Sequence, residues 1–308
     1  MPNLLDKRLV FVTGKGGVGK STVATALGML AARQGRRTIV AELASQRRAQ
    51  DSFDHADGEV FGEVQLADGL FAISIDPQYA MEEYLHLKAG AVGHLLSSSR
   101  LFAAFAMATP GMRELLSIGK VWELAQLQRR TRGADTYDFV VVDAPATGHG
   151  VGILRTPRTF AEIARVGPIA RQGRTIADTI ADRDFTGVVA VSTPEEMAVN
   201  ETLALSQALE EEALALDAVI VNALYPARFS ARDAGRLTKA GQGADSPLVR
   251  SAVRAALSEH ARAQEQREQV TRLCEGLARS PWELPYVFCD RLGPEQLQTL
   301  AGALEEQL

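Results

Sequence analysis

Cysteine is scarce in this chain: only Cys274 and Cys289 occur among 308 residues, 15 positions apart. Two such residues cannot build a disulfide framework or a multi-thiolate zinc clasp, and their scarcity fits a reducing compartment. Long apolar runs are missing too. With no stretch of about 18 consecutive apolar residues, no segment is expected to span a membrane. Positive charge is not in excess, and the net charge of −5 argues against nucleic-acid binding driven by bulk electrostatics. Internal repeats and low-complexity tracts are absent. The apolar segment within Met1 to Val12 is short and ends in a glycine-rich turn, so it reads as a buried strand and not a secretion signal. The expected location is the cytoplasm. What remains is an ordinary globular composition, 46% hydrophobic and 23% charged, in a chain long enough to bury a sizeable core.

Short apolar runs alternate with helical segments. Leu9–Val12, Thr38–Ala41, Leu70–Ile75, Phe139–Val142, Gly187–Val191 and Ala218–Val221 are rich in β-branched residues and continuously apolar, as strands buried on both faces of a parallel sheet are. A helix is expected from Lys20 to about Arg33. The pattern predicts a doubly wound α/β fold with a mostly parallel sheet. Two stretches interrupt it. Residues 77–132 read as three or four helices, with Met81, Tyr84, Leu85, Leu95, Leu96, Leu101, Phe102, Phe105 and Met107 supplying apolar surface. Residues 230–246 read as a polar loop leading to a long helix from about Pro247 to Leu277. Both fit insertions into one domain spanning 1–308.

Gly14-Lys-Gly-Gly-Val-Gly-Lys-Ser21 matches G-x-x-x-x-G-K-[ST], directly after a strand and before a helix. In that setting Gly14, Gly16, Gly17, Val18 and Gly19 present backbone N–H groups to phosphate oxygens, and the helix dipole points at the same anion. Lys20 is placed to reach the β- and γ-phosphates of ATP, and Ser21, followed by Thr22, to hold Mg²⁺. After the strand at Phe139–Val142 comes Asp143-Ala-Pro-Ala-Thr-Gly148-His149. A carboxylate at the carboxyl end of a parallel strand lies at the ligand crevice. Asp143 is therefore a second candidate for Mg²⁺, and the Gly148 N–H a candidate sensor of the γ-phosphate. A strand-ending Asp used only as a helix cap is the plainer alternative. Asn222 ends another strand, where its amide can both donate to and accept from an adenine edge, or merely satisfy loop backbone.

Lys15-Gly-Gly-Val-Gly-Lys20-Ser21-Thr22 resembles the deviant loop K-G-G-x-G-K-[ST] of the MinD, ParA, iron–sulfur carrier and arsenite-pump ATPases. Asp143-Ala-Pro-Ala-Thr-Gly-His149, with Leu154 and Pro157 beyond, resembles the switch II segment shared by the arsenite-pump and tail-anchored-protein-targeting ATPases. In the same order, Thr109-Pro-Gly-Met-Arg-Glu114 resembles P-G-x-x-E. Thr193-Pro-Glu-Glu-Met-Ala-Val-Asn-Glu201-Thr202 resembles P-E-x-x-x-x-x-E-T, and Val219-Ile-Val-Asn222 the strand ending in the adenine-reading Asn. The resemblance spans roughly residues 8–305 and is nearest, around Glu42, to bacterial and particularly actinobacterial members. It implies a Mg·ATP-dependent dimer in which Lys15 crosses a two-fold interface to the partner's nucleotide. Without it, Lys15 is one more exposed lysine. It also implies that the helices of 77–132, between switch I and switch II, offer a groove to a protein client. Mutual packing of those side chains is the alternative, and Arg129, Arg130 and Arg132 read as either a lipid or partner contact or a solvated helix end.

The departures matter as much. Against the family's switch I, S-T-D-P-A-H-S-L-S-D-S-F, this chain has Glu42-Leu-Ala44-Ser-Gln-Arg-Arg-Ala-Gln-Asp51-Ser-Phe53. Ala44 replaces the Asp that orients the attacking water, so hydrolysis is expected to be slow while nucleotide binding is spared. Glu42 and Asp51 are the candidate substitutes. No Cys-x-x-Cys is present to close a dimer with zinc, and two dispersed thiols do not suit arsenite. The chain corresponds to a single ATPase half, so its partner is a second copy or a paralogue. Two functions compete: a nucleotide-switched ATPase acting on a protein client, and a weakly hydrolysing regulatory subunit paired with a paralogue. A membrane-surface positioning role is disfavoured, because Gly293 to Leu308 carries Glu295, Glu305 and Glu306 and no lysine.

Overall fold

The computed structural model describes residues 4–43, 47–53, 61–85, 108–129, 131, 133–164 and 167–308. Eight strands form one sheet: β1 Leu9–Gly14, β2 Thr38–Leu43, β3 Val64–Ala67, β4 Leu70–Ile75, β5 Phe139–Asp143, β6 Thr186–Ser192, β7 Ala218–Leu224 and β8 Trp282–Pro285. Their order is β3-β4-β2-β5-β1-β6-β7-β8, and every pairing is parallel except that of β3 with β4. The six apolar runs legible in the sequence are all strands. The two that escaped notice, β3 and β8, are the outermost. Each has four residues and is buried on one side at most, so neither shows a long apolar run.

The central strands are buried along their whole length because helices cover both faces. On one face, Phe11, Val140, Val142, Ala190 and Val221 pack against side chains of α3 (Met112–Leu124), α4 (Thr147–Ala164), α5 (Pro168–Ala181), α6 (Glu196–Glu211) and α8 (Pro247–Leu277). On the other, Val10, Val12, Val141, Val189 and Ile220 meet α1 (Lys20–Arg33) and α9 (Pro294–Glu305). Alternate residues of one strand serve opposite cores, as the two-residue period requires. Val23, Leu27, Leu30 and Ala31 put one stripe of α1 fully out of water, which fixes the helix that begins at the phosphate loop.

Between β4 and β5, residues 77–85 and α3 are helical, and Met81, Ile118, Val121 and Leu124 are buried. For Met81, packing is therefore what the structure shows. Leu95, Leu96, Leu101, Phe102, Phe105 and Met107 lie outside the described residues. Arg129 corrects the expectation of a solvated or partner-facing helix end. Its side chain is 1% exposed and ion-paired with Glu63 at 2.7 Å and Glu123 at 3.0 Å. The Tyr137 hydroxyl donates to Glu63 at 2.6 Å, so this buried guanidinium joins the edge of the sheet to the end of α3. Arg130 and Arg132 lie outside the described residues.

A second correction concerns residues 230–246, which are not a polar loop. α7 (Ala231–Gln242) starts there under a capping box, in which Ser230 Oγ accepts from the Asp233 N–H and Asp233 accepts in return from the Ser230 N–H. No residue of α7 is buried, and its half-buried side offers only Ala234, Leu237 and Gly241, too little apolar surface to stand out in a polar segment. Replacing Arg129 by alanine should cost about 3–5 kcal/mol in urea unfolding, because it leaves the Glu63 and Glu123 carboxylates without their cation. A loss below about 1 kcal/mol would show that the network is not holding the edge.

Candidate functional site

β1, β5 and β7 end on the same side of the sheet, and the loop after β1 lies across that side. Gly14 is the last residue of β1. A side chain there would place its Cβ 2.2 Å from the Val191 carbonyl oxygen, on a backbone with φ of +145°. Five residues later Gly19 turns the chain into α1 with φ of +91°, and a Cβ there would fall 2.2 Å from Asn222 Nδ2. Glycine is thus dictated by the β6 backbone at one end of the loop and by a left-handed backbone at the other. Asn222 uses its proximity to donate Nδ2 to the Val18 carbonyl at 2.9 Å. Of the two readings of this amide, satisfying loop backbone is the contact the structure contains.

The loop presents its polar groups to one place. Ser21, in the first turn of α1, donates Oγ–H to Asp143 Oδ2 at 2.5 Å. Lys20 Nζ donates to the Lys15 carbonyl at 3.0 Å. Burial pushes the Asp143 carboxyl above the usual carboxylate range, opposed by the Ser21 hydrogen bond and the charges of Lys20 and Arg48. Burial likewise lowers the Lys20 ammonium. A hydroxyl and a carboxylate converging beside a helix N-terminus are hard oxygen donors of the kind Mg²⁺ takes. The described residues gather no cluster of three or more His, Cys, Asp or Glu. Ser21 and Asp143 therefore fit an ion that completes its shell with water and phosphate oxygens.

Glu42 stands in register with Asp143 across β2 and β5. Its Oε1 accepts from the Ala49 N–H at 3.1 Å, while Oε2 is buried without a partner among the described residues. Burial, with Asp143 and Asp51 adding, pushes this carboxyl up to about 8. Asp51 sits on the short helix α2 (Arg48–Ser52) and lines a cavity of about 380 Å³ with Gly17, Gly19, Lys20, Ser21, Thr22, Arg48 and Arg291. Asp51 is exposed there, whereas Glu42 is 1% exposed and turned to α2. Ala44 lies outside the described residues.

Lys15 forms an ion pair with Glu201 of α6 at 3.1 Å. That contact joins the loop to the Pro-Glu-x-x-x-x-x-Glu-Thr segment. Gly16 approaches the switch II side, where a Cβ would lie 3.9 Å from that of Ala146. Gly148 falls in the first turn of α4, whose N–H groups have no intrahelical partner. Arg48, Arg291 and Glu201 were not singled out as site residues. Arg48 stood inside the switch I segment, at a position where the family pattern has an uncharged Ser, and Arg291 belongs to no motif; Glu201 stood inside a recognised motif.

The model of the anion-transporting ATPase family matches residues 7–173 and 163–242. The chain belongs to this family. It is therefore a P-loop ATPase of α/β architecture, and the matched stretch includes every site residue named above except Arg291. ATPase BagA of Mycobacterium tuberculosis is 31% identical over 255 residues, covering 79% of this chain and 72% of that one. ATPase GET3 of Candida glabrata is 27% identical over 257 residues, 71% of this chain and 73% of the relative. An arsenical pump-driving ATPase of Acidiphilium multivorum is 24% identical over 246 residues, 73% of this chain but 41% of that longer protein. The family model stops at residue 242, short of the span of roughly 8–305 expected from the motifs.

The state of Glu42 leads to a stability test. Its folded value near 8 lies above the ordinary 4.5, so the folded chain holds a proton that the unfolded chain releases. Stability attributable to this group is present at low pH and is lost as pH rises through that interval. Glu42→Gln keeps the neutral shape. Relative to the variant, the wild type should lose on the order of 3 kcal/mol between about pH 5 and pH 8 in denaturant titrations. A constant difference across that range would mean that Glu42 is ionised in the folded protein.

Proposed function

We propose that this ATPase binds Mg·ATP, works as a dimer, and couples slow hydrolysis to the capture or release of a protein client in the cytoplasm. The observation that carries the reading is the convergence of Ser21, Asp143 and Lys20 at the N-terminus of α1, beside a cavity of about 380 Å³. The amides of the loop and first turn bind phosphate oxygens, and Lys20 adds a charge against them. Ser21 and Asp143 hold Mg²⁺, which when bound offsets charge on the transferring phosphoryl group.

Asp51 is the carboxylate best placed to orient the attacking water. It lines the cavity, whereas one Glu42 oxygen is held by the Ala49 N–H and the carboxyl is neutral near pH 7. With Ala44 where the family motif has Asp, positioning of the water is incomplete and turnover is slow. Glu42 acts through α2, whose start it ties to β2. Gly148 reports the γ-phosphate to α4, and Asn222 braces the loop close to the base. The helical subdomain 77–132, inserted in the single domain 1–308, is the part that meets the client.

Ala44 also favours a second reading, a regulatory subunit that binds ATP, barely hydrolyses it and pairs with an active paralogue. Steady-state turnover of the purified chain, alone and with such a paralogue, separates the two. For the dimer itself, Lys15 is the discriminating residue. Exchange of its Glu201 contact for the partner's phosphate is the expected event on ATP binding. Lys15→Ala should leave ATP affinity nearly intact and weaken ATP-dependent dimerisation by about tenfold or more in analytical ultracentrifugation. Unchanged dimerisation would remove Lys15 from the interface.

A further inference from the structure

One cation at the phosphate site is left over from the assignments above. Arg48 opens α2, is exposed, and donates Nη1 to Ser21 Oγ at 3.3 Å. Ser21 is the same hydroxyl that bonds Asp143, so the guanidinium stands against the polar centre of the site. Among the described residues no carboxylate is ion-paired with Arg48. Its charge is nevertheless felt at Lys20 and at Asp143. The cavity it lines carries Lys20, Arg48 and Arg291 against the single carboxylate of Asp51, a surplus of positive charge. Arg291, from the loop after β8, donates to the Asp51 carbonyl at 2.7 Å and so fastens α2 at the mouth of the cavity. Its contact with Ser21, and the anchoring of its helix by Arg291, direct this exposed arginine to the phosphate loop.

The direction of approach identifies what Arg48 meets. α2 follows β2, which lies on the opposite side of β1 from β7 and Asn222 in the strand order. A nucleotide whose base lies toward Asn222 therefore turns the outer end of its polyphosphate toward α2. The forked donors of a guanidinium match phosphate oxygens better than a point charge does. We propose that Arg48 is a phosphate-binding residue that acts within its own chain on the terminal phosphate and makes the site favour a nucleoside triphosphate over a diphosphate. This rests on the Mg·ATP reading and deepens it, because it assigns recognition of the third phosphate to a residue outside the loop.

The test is calorimetry of the full chain with ADP and with a non-hydrolysable ATP analogue, each with Mg²⁺ and in excess chelator. The variants are Arg48→Ala, Arg48→Lys and Arg48→Glu, with thermal melts to verify folding. Arg48→Ala should weaken the triphosphate by about tenfold or more while changing ADP by less than about threefold. Arg48→Lys should recover part of the loss, and Arg48→Glu should deepen it. Equal losses for the two nucleotides, or none for either, would overturn the assignment while leaving the ATP reading intact. A wild-type chain that binds neither nucleotide overturns both.

Discussion

The hydrogen bond from Ser21 to Asp143 is the contact around which this protein is arranged. It joins the first turn of α1 to the carboxyl end of β5, two elements separated by 122 positions in the chain. For it to form, β1 and β5 must pair in register and α1 must lie flat on one face of the sheet. Both follow from apolar residues that are entirely out of water, Val10 and Val141 on the strands and Leu27 and Leu30 on the helix. Hydrophobic burial thus sets the position of a polar pair that contributes little to folding itself. Gly14 and Gly19 complete the arrangement, because the β6 backbone leaves no room for a side chain at the first and the second adopts a left-handed backbone.

The electrostatics of the site follow from that packing. Glu42 and Asp143 are buried on adjacent strands in register, and each is raised chiefly by loss of water. Two carboxyls so placed do not both ionise at neutral pH without cations nearby. Lys20 and Arg48 supply positive charge at Asp143, whereas Glu42 receives only backbone N–H donors and keeps its proton. The neighbouring strands therefore end in two buried carboxyls with different partners, cations at Asp143 and backbone N–H donors at Glu42. Asp143 suits a metal and Glu42 suits the fastening of α2. The first switch is held by a carboxyl whose burial favours its protonated form.

Much of this was legible in the amino-acid sequence, for identifiable reasons. The phosphate loop was readable because strand, glycine turn and helix are consecutive, so local spacing fixes their geometry. The six long strands were readable because a parallel sheet covered on both faces needs continuous apolar runs. What escaped notice lacks such a signal. α7 buries nothing and is announced only by its Ser230–Asp233 cap. β3 and β8 are too short and too exposed for a pattern. Arg129 looked solvated because its carboxylate partners Glu63 and Glu123 stand 66 and 6 positions away, outside any helical i,i+4 pairing. Arg48 was legible only as a charge next to another charge, and its meaning depends on α2 folding back over Ser21.

All of this comes down to whether the loop, Lys20 and the Ser21–Asp143 pair together hold a triphosphate. Isothermal titration with Mg·ATP, paired with thermal unfolding, asks that directly. Binding heat is predicted, with stabilisation of about 2.7 kcal/mol when free nucleotide stands about a hundredfold above Kd, and both should vanish in Lys20→Ala and weaken in Asp143→Asn. No heat and no stabilisation at saturating Mg·ATP would contradict the account at its root.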